Sequence, residues 1–305
     1  MAAHEVTAIV PTLGRPELRH AVESAMGQTV SMEIVVVVAD PNRVPQVESA
    51  LGDADRDRLR IVHPRTPLNG SAARNLGLRS AGSDLVAFLD DDDWWEPTKT
   101  ERQLTAVPAE SDRFIVSTDS HFGASSGPAS LQRARLVPQI RHSPDQRMAD
   151  YLLARRSVRY GRTFLQTSSL LAPRTLLLQH GWNDALAKHQ DWDLLIRLVD
   201  GAGAVHVPVA EPLTFVRKGS AASVSRNPDW RASLNWVAEL DADPRAVGDF
   251  ICANVIRPSL LARDRSGVEA GLRALGGRPL PHPSALFGIM EGALRSVVAP
   301  MRGPR

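Results

Sequence analysis

The stretch from Ser83 to Pro97 reads Ser-Asp-Leu-Val-Ala-Phe-Leu-Asp-Asp-Asp-Asp-Trp-Trp-Glu-Pro. Its apolar run, Leu85–Leu89, leads directly into four consecutive acids, Asp90–Asp93. An apolar run of this length, bounded by a turn on one side and by charge on the other, is typical of a short buried strand. The acids therefore follow the carboxyl end of a predicted strand, where open α/β sheets bind their ligands.

Four adjacent carboxylates repel one another, so this run does not stabilise the fold unless a cation or solvent relieves the repulsion. Hard oxygen ligands of this kind suit Mg²⁺ or Mn²⁺. A solvated acidic loop is the alternative interpretation. The buried strand before the run and the helix start predicted at Pro97 favour a metal–phosphate site, with a divalent cation, Mn²⁺ or Mg²⁺, as the expected cofactor.

The chain has 305 residues, 43% hydrophobic and 23% charged, which suits one large domain or two small ones. The formal net charge of +2 is weak evidence for a nucleic-acid partner, and we expect none. The single cysteine, Cys252, excludes an intrachain disulfide and fits a reducing compartment.

Localisation is inferred from the N-terminus and from the apolar runs. Residues Met1–Glu5 lack a basic segment and lead directly into a predicted strand, so we expect no signal peptide. No apolar run approaches the roughly 20 residues of a membrane span. We therefore expect a cytoplasmic protein, and contact with the inner face of the membrane stays open.

The first 110 residues alternate between predicted strands and helices. Strands are predicted at Val6–Val10, Glu33–Ala39, Leu59–Val62 and Leu85–Leu89. Helices are predicted from Pro16 to Met26, through Val47 and Leu51, from a cap at Ser71, and from Pro97 to Val107. This order predicts an α/β fold with right-handed crossovers and a doubly wound, mostly parallel sheet.

From Asp112 onwards the alternation is less regular. Strands are predicted at Phe114–Thr118, Thr163–Leu171, Val205–Val209 and Leu213–Arg217, a helix at Thr175–Gln179 and a mobile loop at Gly123–Pro128. Asp191 falls at or just before the N-terminus of a further helix, which would hold its carboxylate ionised. The segment 131–162 is locally basic, either as a solvated face or as a contact for an anionic ligand.

Beyond about residue 225 only helices are predicted. They lie at Trp230–Leu240, Arg245–Arg263, Val268–Leu275 and Ser284–Val298, with Pro258 kinking or splitting the second. We divide the chain into a domain at 1–225, with halves at 1–110 and 111–225, and a helical extension at 226–305. The last helix is expected to pack on the domain or on a second subunit, as in a homodimer. The alternative is a helix that lies in the interface of a membrane.

Five motifs, in this order, resemble the family 2 inverting glycosyltransferases of the GT-A fold. They are Ile9-Val10-Pro11-Thr12 with Arg15-Pro16-Glu17-Leu18; Asp40 after the second strand; Asn69-Gly70 with Ala73-Arg74-Asn75-Leu76-Gly77; Phe88-Leu89-Asp90-Asp91-Asp92-Asp93 with Trp95 and Pro97; and Asp191-Trp192-Asp193-Leu194 with Arg197. Each motif is weak alone, and the ordered set is specific. The resemblance covers roughly residues 5–220 and implies a GT-A domain with a Rossmann-like nucleotide-binding half.

The resemblance implies a binding site for a nucleotide-diphosphate sugar. In such enzymes the loop after the first strand, the acid after the second strand and the start of a later helix line the nucleotide pocket. The matching residues here are Pro11, Thr12, Arg15, Asp40, Arg74 and Asn75.

The acidic run matches the family's metal site. Asp92 corresponds to the metal ligand, Asp91 to its neighbour on the nucleotide side, and Asp90 to the first acid of a D-x-D motif. A cation held there would stabilise the charge that develops on the departing nucleoside diphosphate.

Asp191 matches the family's general base, which takes the proton of the acceptor hydroxyl as that oxygen attacks the anomeric carbon from the opposite face. Positioning within hydrogen-bond reach matters more for this task than the free pKa. The family pattern usually has Glu-Asp at this point, whereas this chain has Gln190-Asp191. The change spares the base and removes a neighbouring charge. Asp193 and His189 are the alternative bases.

Four tryptophans and two cations lie near these motifs. Sugar stacking is considered for Trp182 and Trp192, although packing is the commoner role for such residues and is favoured for Trp94 and Trp95. Arg217 and Lys218 follow the last predicted strand. They either close over the diphosphate as a cationic lid or belong to a plain surface loop.

We therefore expect an inverting, metal-dependent hexosyltransferase that uses a nucleotide-diphosphate sugar. The acceptor hydroxyl could belong to a glycan, a lipid-linked glycan or a small molecule. One alternative is a non-catalytic nucleotide-sugar binder, suggested by Gln190. Another is a sugar nucleotidyltransferase, which would need a glycine-rich, basic loop after the first strand; Pro11–Pro16 holds one glycine and one arginine.

Overall fold

The computed structural model describes residues 5–52, 54, 57–123, 134–156, 163–217 and 229–298. Lys218 and most of the predicted loop Gly123–Pro128 lie outside these residues. The chain separates into two compact units, one of residues 1–144, 164–186 and 190–221 and the other of residues 145–163, 187–189 and 222–305. The helical extension predicted at 226–305 falls in the second unit, and the boundary at 225 stays a prediction.

All strands of the described residues lie in one sheet of the first unit. They are β1 (Val6–Thr12), β2 (Met32–Val38), β3 (Leu59–Val62), β4 (Leu85–Phe88), β5 (Trp94–Trp95), β6 (Phe114–Gly123), β7 (Arg135–Val137), β8 (Leu170–Pro173) and β9 (Val205–Arg217).

The helices are numbered along the chain through both units. They are α1 (Leu18–Met26), α2 (Val44–Leu51), α3 (Gly70–Ser80), α4 (Lys99–Thr105), α5 (Met148–Leu153), α6 (Arg174–His180), α7 (Gln190–Ile196), α8 (Trp230–Ala238), α9 (Pro244–Ile251), α10 (Arg257–Ala262), α11 (Arg265–Leu275) and α12 (Pro283–Val298).

The predicted parallel core of the sheet is confirmed. Strands β3, β2, β1 and β4 lie side by side and all run parallel, with Ile9 of β1 opposite Val35 of β2 and Phe88 of β4. Because parallel strands end at the same edge, Thr12, Asp40 and the acidic run after β4 are brought to one side of the sheet. This edge holds the motifs that the sequence singles out.

The other half of the sheet is mixed. Strand β8 runs antiparallel to both of its neighbours, β4 and β6, whereas β6 and β9 run parallel. Strands β5 and β7 pair antiparallel with β9 and β6, so six of the nine strands in the described residues share one direction. The sheet is therefore mostly parallel, as predicted.

Three local predictions need correction. The helix α3 is capped by Asn69, whose side chain accepts the Ala72 N–H, and not by Ser71, which is buried in the first turn of the helix. The strand predicted at Thr163–Leu171 is confined to β8, because polar residues at 167–169 form a 3₁₀ turn instead. The two strands predicted at Val205–Val209 and Leu213–Arg217 form one strand, β9, with a register shift opposite Thr118 and Asp119.

Helix packing on the sheet follows the apolar spacing of each helix. In α1 the residues Leu18, Ala21, Val22 and Ala25 are buried, which is the spacing of one helical face. At Gly77 of α3 an added Cβ would lie 2.4 Å from Ile9 Cγ2, so only glycine allows this helix to approach β1 so closely. The close approach places Arg74 and Asn75, one turn earlier, at the ligand-binding edge.

The second unit, in its described residues, is helical. Asp249 of α9 is buried and accepts the backbone N–H of Arg155 at 2.9 Å and that of His282 at 2.6 Å, which ties three segments together. Pro258 does not split the predicted helix, since α9, a π-helical segment at Cys252–Ile256 and α10 follow one another without a break. No helix of the described residues is long and apolar enough to cross a membrane.

Candidate functional site

The four acids after β4 alternate between exposed and buried positions. The side chains of Asp90 and Asp92 are 25% and 12% exposed, whereas Asp91 and Asp93 are buried. The buried pair anchors the run to the scaffold, and the accessible pair has the spacing of a D-x-D motif. The structure thus separates the acids that a ligand can reach from those that hold the loop.

Asp91 is anchored by the loop after β1. The hydroxyl of Thr12 donates to Asp91 Oδ2 at 2.5 Å and accepts the Gly14 N–H at 2.8 Å. Arg15 Nη1 lies 2.9 Å from Asp91 Oδ1 and 3.2 Å from Asp92 Oδ2. Burial raises the pKa of Asp91 to about 6, against the opposing effects of Arg15 and of the Thr12 hydrogen bond. The loop after β1 and the acidic run, which are the first and fourth motifs of the resemblance, therefore lie in contact, as the resemblance implies.

Asp93 is anchored by Gln166 and Ser168, which the sequence analysis does not single out, and by the backbone N–H of Arg217. Ser168 Oγ and Gln166 Nε2 donate to Asp93 Oδ2 at 2.7 and 3.0 Å, and the Arg217 N–H donates to Oδ1 at 2.8 Å. Burial raises the pKa of Asp93 well above its usual range, and the charges of Asp90 and Asp92 raise it further. The sequence does contain a signal for Gln166 and Ser168, because the polar residues 166–169 lie between two apolar pairs, 164–165 and 170–171.

Asp90 is paired with Arg74 at the start of α3. Arg74 Nη2 lies 2.5 Å from Asp90 Oδ1, and its guanidinium covers the ring of Trp182 at 4.7 Å from the centroid. The Nε atoms of Arg74 and Trp182 are buried and lack a hydrogen-bond partner among the described residues. Each of these two buried N–H groups is thus a donor without an acceptor among the described residues.

Trp182 and Asn75 form a structural contact. Trp182 is 3% exposed and meets Phe88 edge-on. The amide of Asn75 donates to the Trp182 carbonyl and accepts its N–H, each at 2.8 Å. The side chain of Asn75 therefore holds the loop after α6, and Trp182 serves as a support for Arg74.

Asp191 lies in the first turn of α7 and is half-buried. Its Oδ1 accepts the Trp192 N–H at 3.0 Å, and it has no ion-pair partner within the described residues. Burial raises the pKa of Asp191 to about 6; the Trp192 N–H and Arg74 oppose the rise, and Asp90 adds to it. The expectation that the helix N-terminus holds this carboxylate ionised is therefore wrong, because burial outweighs the effect of the helix. Because the charges of Arg74 and Asp90 both affect the pKa of Asp191, this carboxylate shares an electrostatic environment with the acidic run.

The alternative bases have structural contacts of their own. Asp193 accepts a hydrogen bond from Arg197 at 2.8 Å, and Arg197 also donates to the carbonyls of His180 and Gly181. His189 is half-buried, stacks on Trp236 and hydrogen-bonds Ser233 at 2.9 Å. Burial lowers the pKa of His189 to about 3.

The remaining predicted residues are placed as follows. Asp40 follows β2 and accepts the Asn42 N–H at 3.0 Å, and Pro11 lies within β1 opposite Val37. Trp192 is half-buried in α7. Arg217, at the end of β9, forms an ion pair with Glu17 and lowers the pKa of that carboxyl.

Trp94 and Trp95 pack in the interior, as predicted. Trp94 stacks on Phe215 at 3.7 Å between ring centroids, and the indole N–H of Trp95 donates to the Ser168 carbonyl at 2.7 Å. In the basic segment 131–162, Arg141 forms an ion pair with Asp119 and Arg147 one with Asp241.

The residues of the acidic run fit a divalent cation of the kind that phosphate substrates bring with them. No group of three or more His, Cys, Asp or Glu side chains converges on one point in the described chain. Mg²⁺ and Mn²⁺ bound with phosphates need only one or two carboxylates, since phosphate oxygens and water complete the shell. Asp92, which is accessible and has Asp90 two residues away, meets this requirement.

The family model for glycosyl transferase family 2 matches residues 7–171, which is more than half of the chain. The chain belongs to glycosyl transferase family 2. The match covers nearly all of β1, the acidic run and the start of β8, and it includes Arg15, Arg74 and Gln166, which contact Asp91, Asp90 and Asp93.

Two curated relatives agree with this family. The chain is 31% identical over 186 residues to the amylovoran biosynthesis glycosyltransferase AmsB of Erwinia amylovora, covering 59% of this chain and 58% of the relative. It is 31% identical over 148 residues to the succinoglycan biosynthesis protein ExoW of Rhizobium meliloti, covering 46% of each chain. The matched part thus spans about half the length of these relatives.

Solved structures share the fold. The S. aureus TarS fragment 1–349 in complex with UDP-GlcNAc aligns with a TM-score of 0.59 at 13% identity, covering 96% of this chain and 90% of that one. The mannosyltransferase PcManGT from Pyrobaculum calidifontis in complex with GDP-Man and Mn²⁺ aligns with a TM-score of 0.57 at 17% identity, covering 96% and 81%. The predicted GT-A fold of this family 2 member is confirmed.

Proposed function

We propose that this chain is an inverting glycosyltransferase that moves a sugar from a nucleotide-diphosphate sugar to an acceptor hydroxyl. The observation that carries the proposal is the position of Asp191. It is a half-buried acid without an ion-pair partner in the described chain, and it is electrostatically coupled to Arg74 and Asp90. In this proposal, motifs that lie far apart along the chain would supply a base and a phosphate site to one pocket.

Asp191 is the general base in this proposal. A base must be deprotonated at the working pH yet hold a proton strongly enough to remove it from a hydroxyl, so a pKa near 6 suits the task. Asp193 is unsuited, because its ion pair with Arg197 occupies the carboxylate. The absence of a glutamate at position 190 leaves the Asp191 carboxylate with one like charge fewer nearby.

The donor lies at the carboxyl ends of β1, β2 and β4. Asp40 would accept hydrogen bonds from the base or ribose, while Pro11 and Thr12 would shape the wall of the pocket. Arg15 and Arg74 bring positive charge to the diphosphate. The buried, unpartnered Nε atoms of Arg74 and Trp182 support an oxygen-rich ligand at this point.

Asp92, with Asp90 beside it, would hold Mn²⁺ or Mg²⁺ in this proposal. When bound, the cation would neutralise charge on the nucleoside diphosphate as the glycosidic bond breaks. Arg15 lies within reach of Asp92. When the donor binds, Arg15 would either move to the diphosphate or stay beside Asp92. Arg217 stays a candidate for the edge of the pocket, since its ion pair with Glu17 holds it near α1.

The acceptor is proposed from the relatives. AmsB and ExoW are named for amylovoran and succinoglycan biosynthesis, and we infer that a growing polysaccharide, free or lipid-linked, is the acceptor class of this chain. The family match favours this function over a sugar nucleotidyltransferase. A nucleotide-sugar binder without turnover is the second candidate, because Gln190 departs from the usual family pattern.

The test is a thermal-shift titration with UDP, GDP, dTDP, CDP and ADP, each with and without Mn²⁺. A ligand far above its dissociation constant stabilises the fold by several kcal/mol. One nucleotide should raise Tm only when Mn²⁺ is present, and Asp92→Asn should remove that effect. Asp119→Asn, whose carboxylate is paired with Arg141 away from the run, is the matched control. No shift with any nucleotide would contradict the donor site.

A further inference from the structure

The C-terminal part of the second unit concentrates exposed apolar side chains. Ten large apolar residues are exposed in the described chain, and six of them lie between residues 261 and 294. They are Leu261, Leu272, Leu280, Phe287, Met290 and Leu294. Single exposed apolar residues are ordinary, whereas a group of this kind on one segment marks an interaction surface.

Helix α12 presents three of these residues on one side. Phe287, Met290 and Leu294 are 53%, 61% and 66% exposed, and their spacing of three and four residues places them on a single helical face. The buried residues of the helix, Ala285, Gly288 and Gly292, are all small. Ala285 is 1% exposed, and an added Cβ at Gly292 would lie 3.2 Å from Arg257 Cγ, so this side packs against α10. The helix therefore packs through small residues and exposes Phe287, Met290 and Leu294.

The C-terminal segment that contains these residues has a positive net charge. Residues 257–305 contain eight arginines, no lysine and three acidic residues, a net charge of +5, whereas the whole chain has +2. The remainder of the chain is therefore negative. Arg273, Arg278 and Arg295 are exposed. Apolar side chains among arginines are the composition of a helix that lies in the interface of an anionic membrane.

We propose that the exposed face of α12, with Leu280 and the surrounding arginines, docks this chain onto an anionic lipid surface. Phe287, Met290 and Leu294 enter the boundary between headgroups and acyl chains, and the arginines contact lipid phosphates. A second copy of the chain is the less suitable occupant, because pairing this face with itself would bring together two segments of +5 charge. The proposal is independent of the donor and acceptor proposed above.

The first experiment is co-sedimentation of the full chain with vesicles of phosphatidylcholine containing about 30% phosphatidylglycerol, and with vesicles of phosphatidylcholine alone. We expect binding to the anionic vesicles and a loss of binding as salt is raised. The affinity of the variant F287S/M290S/L294S for these vesicles should fall by at least about tenfold, because three apolar contacts are lost. Leu136→Ser, which alters an exposed leucine of the first unit, should bind like the parent chain.

A site-specific readout keeps the proposal testable if the triple variant folds poorly. Cys252 is the single cysteine and is buried, so Met290→Cys and, as a control, Leu136→Cys can each be labelled with an environment-sensitive fluorophore. The label at 290 should shift to the blue on anionic vesicles, and the label at 136 should not. Equal shifts, no vesicle binding, or a dimer in solution that the triple variant abolishes would each overturn the proposal.

Discussion

The side-chain amide of Gln166 donates to Oδ2 of Asp93 at 3.0 Å, which joins a 3₁₀ turn before β8 to the acidic run after β4. The same amide reaches Asp90 Oδ2 at 3.2 Å. Gln166 therefore spans the buried and the accessible acids of the run. Its own Oε1 accepts the Ser168 N–H at 2.7 Å, so its orientation is set by the turn.

Gln166 is predicted to position the acids that hold the divalent cation. Gln166→Leu removes both donated hydrogen bonds while roughly conserving side-chain volume, so Asp90 should lose orientation and Mn²⁺ affinity in the presence of nucleoside diphosphate should fall about tenfold. Electron paramagnetic resonance of free Mn²⁺ measures this affinity on folded protein. Gln179→Leu, at an exposed position of α6, is the control. Unchanged Mn²⁺ affinity in Gln166→Leu would show that the acids are positioned without it.

The pH dependence of transfer is predicted to follow Asp191. Its pKa is raised to about 6, so the carboxylate is protonated and inactive below that pH and becomes a base above it. The initial rate should rise through pH 6 and level off near pH 7, measured in overlapping buffers at saturating donor. A rate that is independent of pH between 5 and 7 would be incompatible with this assignment.

Asp191→Asn is predicted to stabilise the protein at neutral pH. Because the folded-state pKa is raised from 3.8 to about 6, the native state binds more protons than the unfolded state between these values, and stability falls as pH rises through this window. A shift of this size corresponds to about 3 kcal/mol at pH 7.

Urea unfolding at pH 7 and pH 5 tests the stability prediction. Asp191→Asn should be about 1–3 kcal/mol more stable than the parent at pH 7, and the difference should shrink at pH 5. The pH dependence that Asp91 contributes, through its own raised pKa, should persist in the variant. A variant that is less stable than the parent at both pH values would refute the electrostatic account of Asp191.

Asn75→Ala is predicted to destabilise the first unit. Two buried partners, the N–H and the carbonyl of Trp182, would lose their hydrogen bonds, at a cost of about 2–4 kcal/mol. Asn235→Ala, at an exposed position of α8, should change stability by less than about 0.5 kcal/mol. Chemical unfolding compares the two. If Asn75→Ala were as mild as the control, the contact with Trp182 would not support the loop.

Local sequence patterns were sufficient to predict the parallel half of the sheet. Apolar runs such as Ile34–Val38 are buried on both faces and end at turn residues, so the positions of these strands, though not their exact limits, and the placement of Asp40 and Asp90 follow from pattern alone. Motif order was likewise sufficient for the family. These features depend on residues close together along the chain, which is why they could be derived without a structure.

The partners of the acidic run could not be predicted in the same way. Gln166, Ser168 and the Arg217 N–H reach Asp93 across 73 to 124 residues, and their approach depends on how β8 and β9 are ordered in the sheet. The strand β5 is only Trp94–Trp95, too short for an alternating pattern, and exists because Phe215 and Thr214 of β9 lie opposite. Tertiary pairing, and not local propensity, decides these elements.

Donor binding and sugar transfer by Asp191→Asn, measured side by side with the parent chain, test the central claim most directly. With the nucleotide-diphosphate sugar and Mn²⁺ identified by thermal shift, calorimetry gives binding and release of nucleoside diphosphate gives turnover. Asp191→Asn should bind the donor as the parent does and turn over at least about a hundredfold more slowly. Turnover by Asp191→Asn at the parent rate would contradict the assignment of Asp191 as the base.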